Sequence, residues 1–99
     1  MEYEQIIMKL IMHGGEARTK SLMAIKAARE KDFSASKELL DYASEQINHA
    51  HETQTGLIQS EVRGENKTAI TLLMVHAQDH LMNAMTVRDL AIEIIENLK

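Results

Sequence analysis

Within the run MVHAQDHLM, two imidazoles stand four residues apart, with an amide and a carboxylate between them: His76, Gln78, Asp79 and His80. On a helix, positions i and i+4 share a face about one turn apart, so His76 and His80 can work on the same atom. Three kinds of chemistry fit that spacing. The pair can be two half-exposed polar residues at an interface edge. It can hold Zn²⁺, because two histidines at i and i+4 are the ligand spacing of H-E-x-x-H helices. That motif's glutamate is missing here, however, and Asp79 stands where the inverted motif has Glu. The third is nucleophilic chemistry at nitrogen. A neutral imidazole attacks a phosphoryl group, and a second, protonated imidazole hydrogen-bonds the transferred oxygens. Nothing in the chain resembles a nucleotide-binding loop, so such a group must come from another protein. With no cysteine, disulfides, thiolate metal sites and cysteine nucleophiles are excluded.

Polar groups set in an oily helix cost roughly 1–3 kcal/mol each when left unpaired, so the elements around them matter. The 99 residues are read as one domain, 1–99, with 44% hydrophobic residues but only 3% aromatics. Such a core is built from Leu, Ile, Met and Ala. There is no proline and there are four glycines, so the expected class is all-α. The spacing predicts helices over about 2–29, 33–63 and 67–98, joined by short connections as an up-down-up antiparallel three-helix bundle. A net charge of −4 argues against a nucleic-acid partner. The start, MEYEQIIMKL, lacks the basic region of a signal peptide. Residues 68–87 are long enough to cross a bilayer but hold two His, Gln, Asn, Asp79 and three Thr. The chain is therefore read as soluble and cytoplasmic, without membrane insertion.

In the first helix, Ile7, Leu10, Ile11, Gly14, Ala17, Ser21, Ala24, Ile25 and Ala28 share one face, much of it small. Gly14 and Gly15 favour close packing over a kink. Asp32 or Ser34 is expected to cap the second helix, Gly64 to end it and Asn66 to start the third. The second helix should bury Leu39, Leu40, Ala43, Ile47, Ala50, Leu57 and Ile58. On the third, Ile70, Met74, Ala77, Leu81, Ala84, Ala91, Ile95 and Leu98 form one apolar stripe. Leu72, Val75 and Met82 form another, roughly opposite, with Asp79 in its middle. A helix apolar on both sides wants a further partner, and a second copy of the chain is the simplest one. Leu72, Val75, Asp79, Met82 and Thr86 also follow coiled-coil spacing. Copies of Asp79 meeting on a symmetry axis must share protons or hold a cation, for which carboxylates favour Mg²⁺ or Ca²⁺.

The segments LLMVHAQDHLM, HAHETQTGLIQSE and GGEARTKSLMAIKAA together resemble the lactose/cellobiose (N,N′-diacetylchitobiose) enzyme IIA family of the bacterial sugar phosphotransferase system, along essentially the whole chain. Thr19 and Asn83 depart from the usual serine and threonine. The resemblance implies a cytoplasmic homotrimer of three-helix subunits with helix three at the axis. It implies His76 as the phosphorylated nucleophile and His80 as its supporting neighbour. Asp79 would be shared between subunits around a divalent cation, typically Mg²⁺. The expected donor is the general histidine phosphocarrier protein, and the acceptor a cysteine of the sugar-specific IIB component. Gln78, Gln54 and His51 are candidates to line the site, the last two from across a subunit boundary; Gln54 can equally be a polar residue closing a helix contact. His49 is expected on the surface, and His13 to be structural or exposed. Arg18 is expected to contact helix two, and Arg88 breaks an apolar stripe. Met74, Met82 and Met85 are read as adaptable packing. Lactose, cellobiose and chitin disaccharides stay equally open as the sugar.

Overall fold

A computed structural model describes residues 2–65 and 69–99. Its elements are α1 (Glu2–Arg29), α2 (Phe33–Val62) and α3 (Leu72–Leu98), and no strand occurs among the described residues. The helices form a rod about 49 Å long.

The breaks between helices follow local chemistry. After Arg29, Lys31 takes a left-handed conformation with φ of 66°. The Lys31 N–H bonds the Ala28 carbonyl and the Asp32 N–H bonds the Ala27 carbonyl, the paired bonds of a Schellman ending. Asp32 then caps α2, its carboxylate accepting from the Ala35 N–H at 3.1 Å. The same ending closes α2: Gly64, at φ of 70°, bonds Glu61, and the Glu65 N–H reaches Ser60. Here glycine supplies the left-handed residue at no steric cost.

The third helix begins five residues later than its apolar pattern suggests. Thr71 is extended and accepts from the Met74 N–H at 3.1 Å, which makes it the N-cap. The expected start at Asn66 falls outside the described residues. Ile70 lies before the cap and is 80% exposed, so it has no place in the α3 stripe. Ile58 is also mainly exposed rather than buried.

Buried positions recur at alternating three- and four-residue steps on all three helices. On α1 they are Ile7, Leu10, Gly14, Ala17, Ser21, Ala24 and Ala28. On α3 they are Met74, Ala77, Leu81, Ala84, Ala91 and Ile95, and on α2 Ser36, Ala43, Ile47, Ala50 and Gln54. A 3.5-residue repeat is the period that keeps one seam of each helix against its neighbours. The clusters run in order along the rod. Ile7 and Leu10 meet Met74, Ala77 and Leu81; Ala17 meets Ala84; Ala24 and Ala28 meet Ile95. Contacting residues thus rise together on α1 and α3. Across α2 and α3 they run oppositely, as in the Gln54–Gln78 and Ser44–Arg88 bonds.

Most of these positions are small, so the backbones approach closely. The tightest point is Gly14. A Cβ there would stand 3.3 Å from the carbonyl carbon and oxygen of His80 and from the Leu81 nitrogen. Helix one therefore runs uninterrupted through the glycine pair and rests on the peptide that follows His80. No helix among the described residues is long and apolar enough to cross a membrane.

Candidate functional site

The first turns of α3 carry the histidines. Ala77 and Leu81 are fully buried against α1, and this fixes the rotation of the helix. That rotation turns His76 outward, exposed, and leaves His80 half-buried. Their Nε2 atoms lie 3.1 Å apart, with ring centroids 4.5 Å apart and planes perpendicular. That separation is a hydrogen bond, in which one ring nitrogen donates its N–H and the other offers its lone pair.

Two depressions flank the pair. An open one of about 550 Å³ is lined by Leu72, Leu73 and His76 and is almost wholly apolar. A smaller groove of about 160 Å³ lies on the other flank, lined by Arg18, Asp79, His80 and Asn83. Arg18 therefore belongs to the α1–α3 crevice beside His80, not to a contact with α2. Its position has a simple origin. Gly14 seats α1 on the His80 peptide, and Arg18 is one turn further along the same face. Helical side chains lean toward the N-terminus of their helix, which brings this guanidinium back to the level of His80. The sequence signal was available: a glycine followed four residues later by arginine.

The remaining candidates separate. Gln54 is 8% exposed, and its Nε2 donates to Gln78 Oε1 at 2.6 Å within the same chain. Gln78 in turn points its Nε2 at Met74 Sδ, 3.5 Å away. It lines a 110 Å³ crevice with Leu57, Ile58, Glu61, Ala69, Ile70 and Met74. Gln54 and Gln78 thus bridge α2 to α3 on the side away from the imidazoles. His51 is exposed on α2, and within one chain it does not meet the histidine pair. His13 is half-buried, its Nδ1 2.5 Å from Gln46 Oε1, which makes it a structural link between α1 and α2. His49 is on the surface, 3.9 Å from Glu45. Arg88 does interrupt the apolar stripe, and it reaches Ser44 on α2 at 2.9 Å. Tyr3 donates its hydroxyl to the Ala69 carbonyl, tying the segment before α3 to the start of α1.

Asp79 is exposed, on the same side as Leu72, Val75 and Met82, which are 86%, 52% and 43% exposed. Among the described residues no three His, Asp or Glu side chains converge as metal ligands. One chain offers one carboxylate here, and in the same groove a guanidinium that competes for it. This donor set does not hold a divalent cation by itself.

Comparison with known proteins matches this arrangement to one family. The family model for the phosphotransferase-system lactose/cellobiose-specific IIA subunit covers residues 5–99. The lichenan-specific phosphotransferase enzyme IIA component of Bacillus subtilis is 56% identical over 96% of this chain and 86% of its own length. The N,N′-diacetylchitobiose-specific EIIA component of Escherichia coli is 43% identical over 96% and 81%. Among solved structures, the cellobiose-specific enzyme IIA from Bacillus anthracis superposes with a TM-score of 0.93 at 47% identity, covering 99% of this chain and 89% of that one. The chitobiose IIA in its complex with HPr superposes at 0.84 and 40% identity, covering 99% and 94%. A three-helix chain with two facing imidazoles, matched at this identity over nearly its full length, belongs to the lactose/cellobiose-specific IIA family of the phosphotransferase system.

Proposed function

We propose that His76 is a phosphoryl relay. It accepts the group from the general histidine phosphocarrier protein and passes it to a cysteine of a sugar-specific IIB component in the cytoplasm. The uptake served is that of a disaccharide such as cellobiose, lactose or diacetylchitobiose. The observation that carries this reading is the 3.1 Å contact between Nε2 of exposed His76 and Nε2 of His80.

With His80 donating, the lone pair of His76 Nε2 lies in that hydrogen bond. A visiting phosphohistidine brings its phosphorus in line with this nitrogen. The N–P bond to His76 forms as the donor's P–N bond breaks, and the donor imidazole keeps the electron pair. The His80 N–H, released from the lone pair, turns to a phosphoryl oxygen. Transition states of this class are loose, so positioning and charge stabilisation supply most of the catalysis. A relay must also release its cargo, so one or two donors serve better than a closed cage. The open apolar depression beside His76 suits a protein surface that excludes water as it docks.

The exposed seam of Leu72, Val75, Asp79 and Met82 supports self-association through α3, and the family resemblance makes that assembly a homotrimer with α3 at its axis. Three copies of Asp79 would then supply the carboxylates that one chain lacks, and Mg²⁺ between them would offset their mutual repulsion. Its role there would be structural.

The test is incubation with phosphoenolpyruvate and the general phosphotransferase proteins. The expected result is an acid-labile phosphate on His76, absent from His76→Ala at unchanged helicity. A wild-type chain that takes up no phosphate refutes the relay.

A further inference from the structure

We infer that Arg18 is the phosphoryl-binding side chain of this site, holding the equatorial oxygens of the group carried on His76. The inference rests on the relay reading above. Three observations lead to it. The groove formed by Arg18, Asp79, His80 and Asn83 opens against the outer flank of His80. His80, which lines that groove, has its Nε2 3.1 Å from the nitrogen that would carry phosphorus, so the groove adjoins the imidazole nearest a phosphoryl group on His76. The backbone beneath is rigid, because the missing side chain of Gly14 lets α1 rest directly on the His80 peptide.

The charges in the groove favour a switch of partner. With His76 unmodified, Arg18 shares the groove with one carboxylate, that of Asp79, and forms no salt bridge with it. Lys20 lies elsewhere, over the Tyr42 ring at 5.6 Å. A phosphoryl group brings about two negative charges and three acceptor oxygens, and the planar fork of arginine matches two of them at once. Arg18, not engaged by Asp79, therefore turns to the phosphoryl group as transfer proceeds. It neither gives nor takes a proton; its part is to hold the dianion in line while the bond to His76 forms and later breaks. One exposed guanidinium stabilises the group without trapping it.

The experiment measures transfer from the phosphoenolpyruvate-charged phosphocarrier protein to wild-type, Arg18→Gln and Arg18→Lys chains by rapid quench, with circular dichroism and sedimentation on each. The expected result is a kcat lowered about 10- to 100-fold in Arg18→Gln, with KM for the donor protein within about twofold. Arg18→Lys should recover part of the loss, because it restores charge without the fork. The ³¹P resonance of the phosphohistidine should also move in Arg18→Gln. Transfer by Arg18→Gln at the wild-type kcat overturns the inference, as does a loss confined to KM or matched by lost helicity or assembly. A wild-type chain that is never phosphorylated overturns the relay itself, so the two failures are distinct.

Discussion

The two adjacent glycines of α1 make an internal comparison. A methyl group added at Gly14 meets three backbone atoms of the His80–Leu81 peptide at 3.3 Å, whereas one added at Gly15 meets nothing within 4 Å. Each Gly→Ala change removes backbone freedom from the unfolded chain and gains roughly 1 kcal/mol in helix propensity. At Gly15 that gain stands alone, so Gly15→Ala should stabilise by about 1 kcal/mol. For a chain of this size that raises Tm by roughly 4–8 °C. At Gly14 the backbone must yield by a few tenths of an ångström, and overpacking typically costs about 1–3 kcal/mol. The net effect of Gly14→Ala should therefore lie between about zero and 2 kcal/mol of destabilisation. The two variants should differ by about 1–3 kcal/mol although they sit side by side. Thermal and urea denaturation at equal protein concentration measure this directly. The displaced peptide is the one that carries His80, so phosphoryl transfer should fall in Gly14→Ala and not in Gly15→Ala. Equal stabilisation by both alanines would refute the close approach of α1 to α3.

Lys31 pays the usual penalty of a left-handed L-residue, so Lys31→Gly should stabilise the chain by about 0.5–1 kcal/mol, read as a rise in Tm. Gln54→Leu leaves Gln78 Oε1 without its donor in a mostly buried place and should cost about 1–3 kcal/mol in urea titrations. Replacing both glutamines by leucine should recover part of that cost. Asp79→Leu removes the like charges that a symmetric seam would bring together. Sedimentation should show assembly retained and a higher denaturation midpoint, whereas a monomeric Asp79→Leu would mean that a cation bridge, not apolar contact, holds the copies together.

Much of the fold could be seen in the residues alone, and the exceptions have physical causes. Asp32 and Gly64 announced their breaks because a carboxylate before a helix and a glycine after one each do a job that few residues do. The apolar spacing starts α3 too early because Ala69 and Ile70 continue a pattern that says nothing about backbone hydrogen bonds. Thr71, three residues before Met74, was the better signal. Ile58 falls on the inner face of a single-helix wheel, which drifts at 3.6 residues per turn, while the buried seam keeps to 3.5 and leaves it exposed. At the site, His76, His80 and Asp79 stood out through type and spacing. Arg18 stands out too, but against α2, because the Gly14–Arg18 spacing does not say which helix the glycine face meets; the register of α1 against α3 puts it beside His80. Gln54 takes the second of its two expected roles, a polar side chain closing a helix contact, and the position of Gln78 identifies its partner.

The bond from Arg88 to Ser44 bears on how the chain avoids wrong structures. Arg88 occupies a place in the α3 repeat that an apolar residue would otherwise fill, and its side chain is only 20% exposed. An alanine-rich seam is nearly self-similar under a slide of seven residues, so packing alone discriminates poorly between alignments. Sliding α2 by one repeat would bring Lys37 or His51 opposite the guanidinium in place of Ser44. The same slide would set Gln78 against Ile47 or Glu61. Two polar bonds ten residues apart thus act like the teeth of a key against the frame that sets Lys37 opposite Arg88 and Ile47 opposite Gln78, which the smooth alanine surface would tolerate.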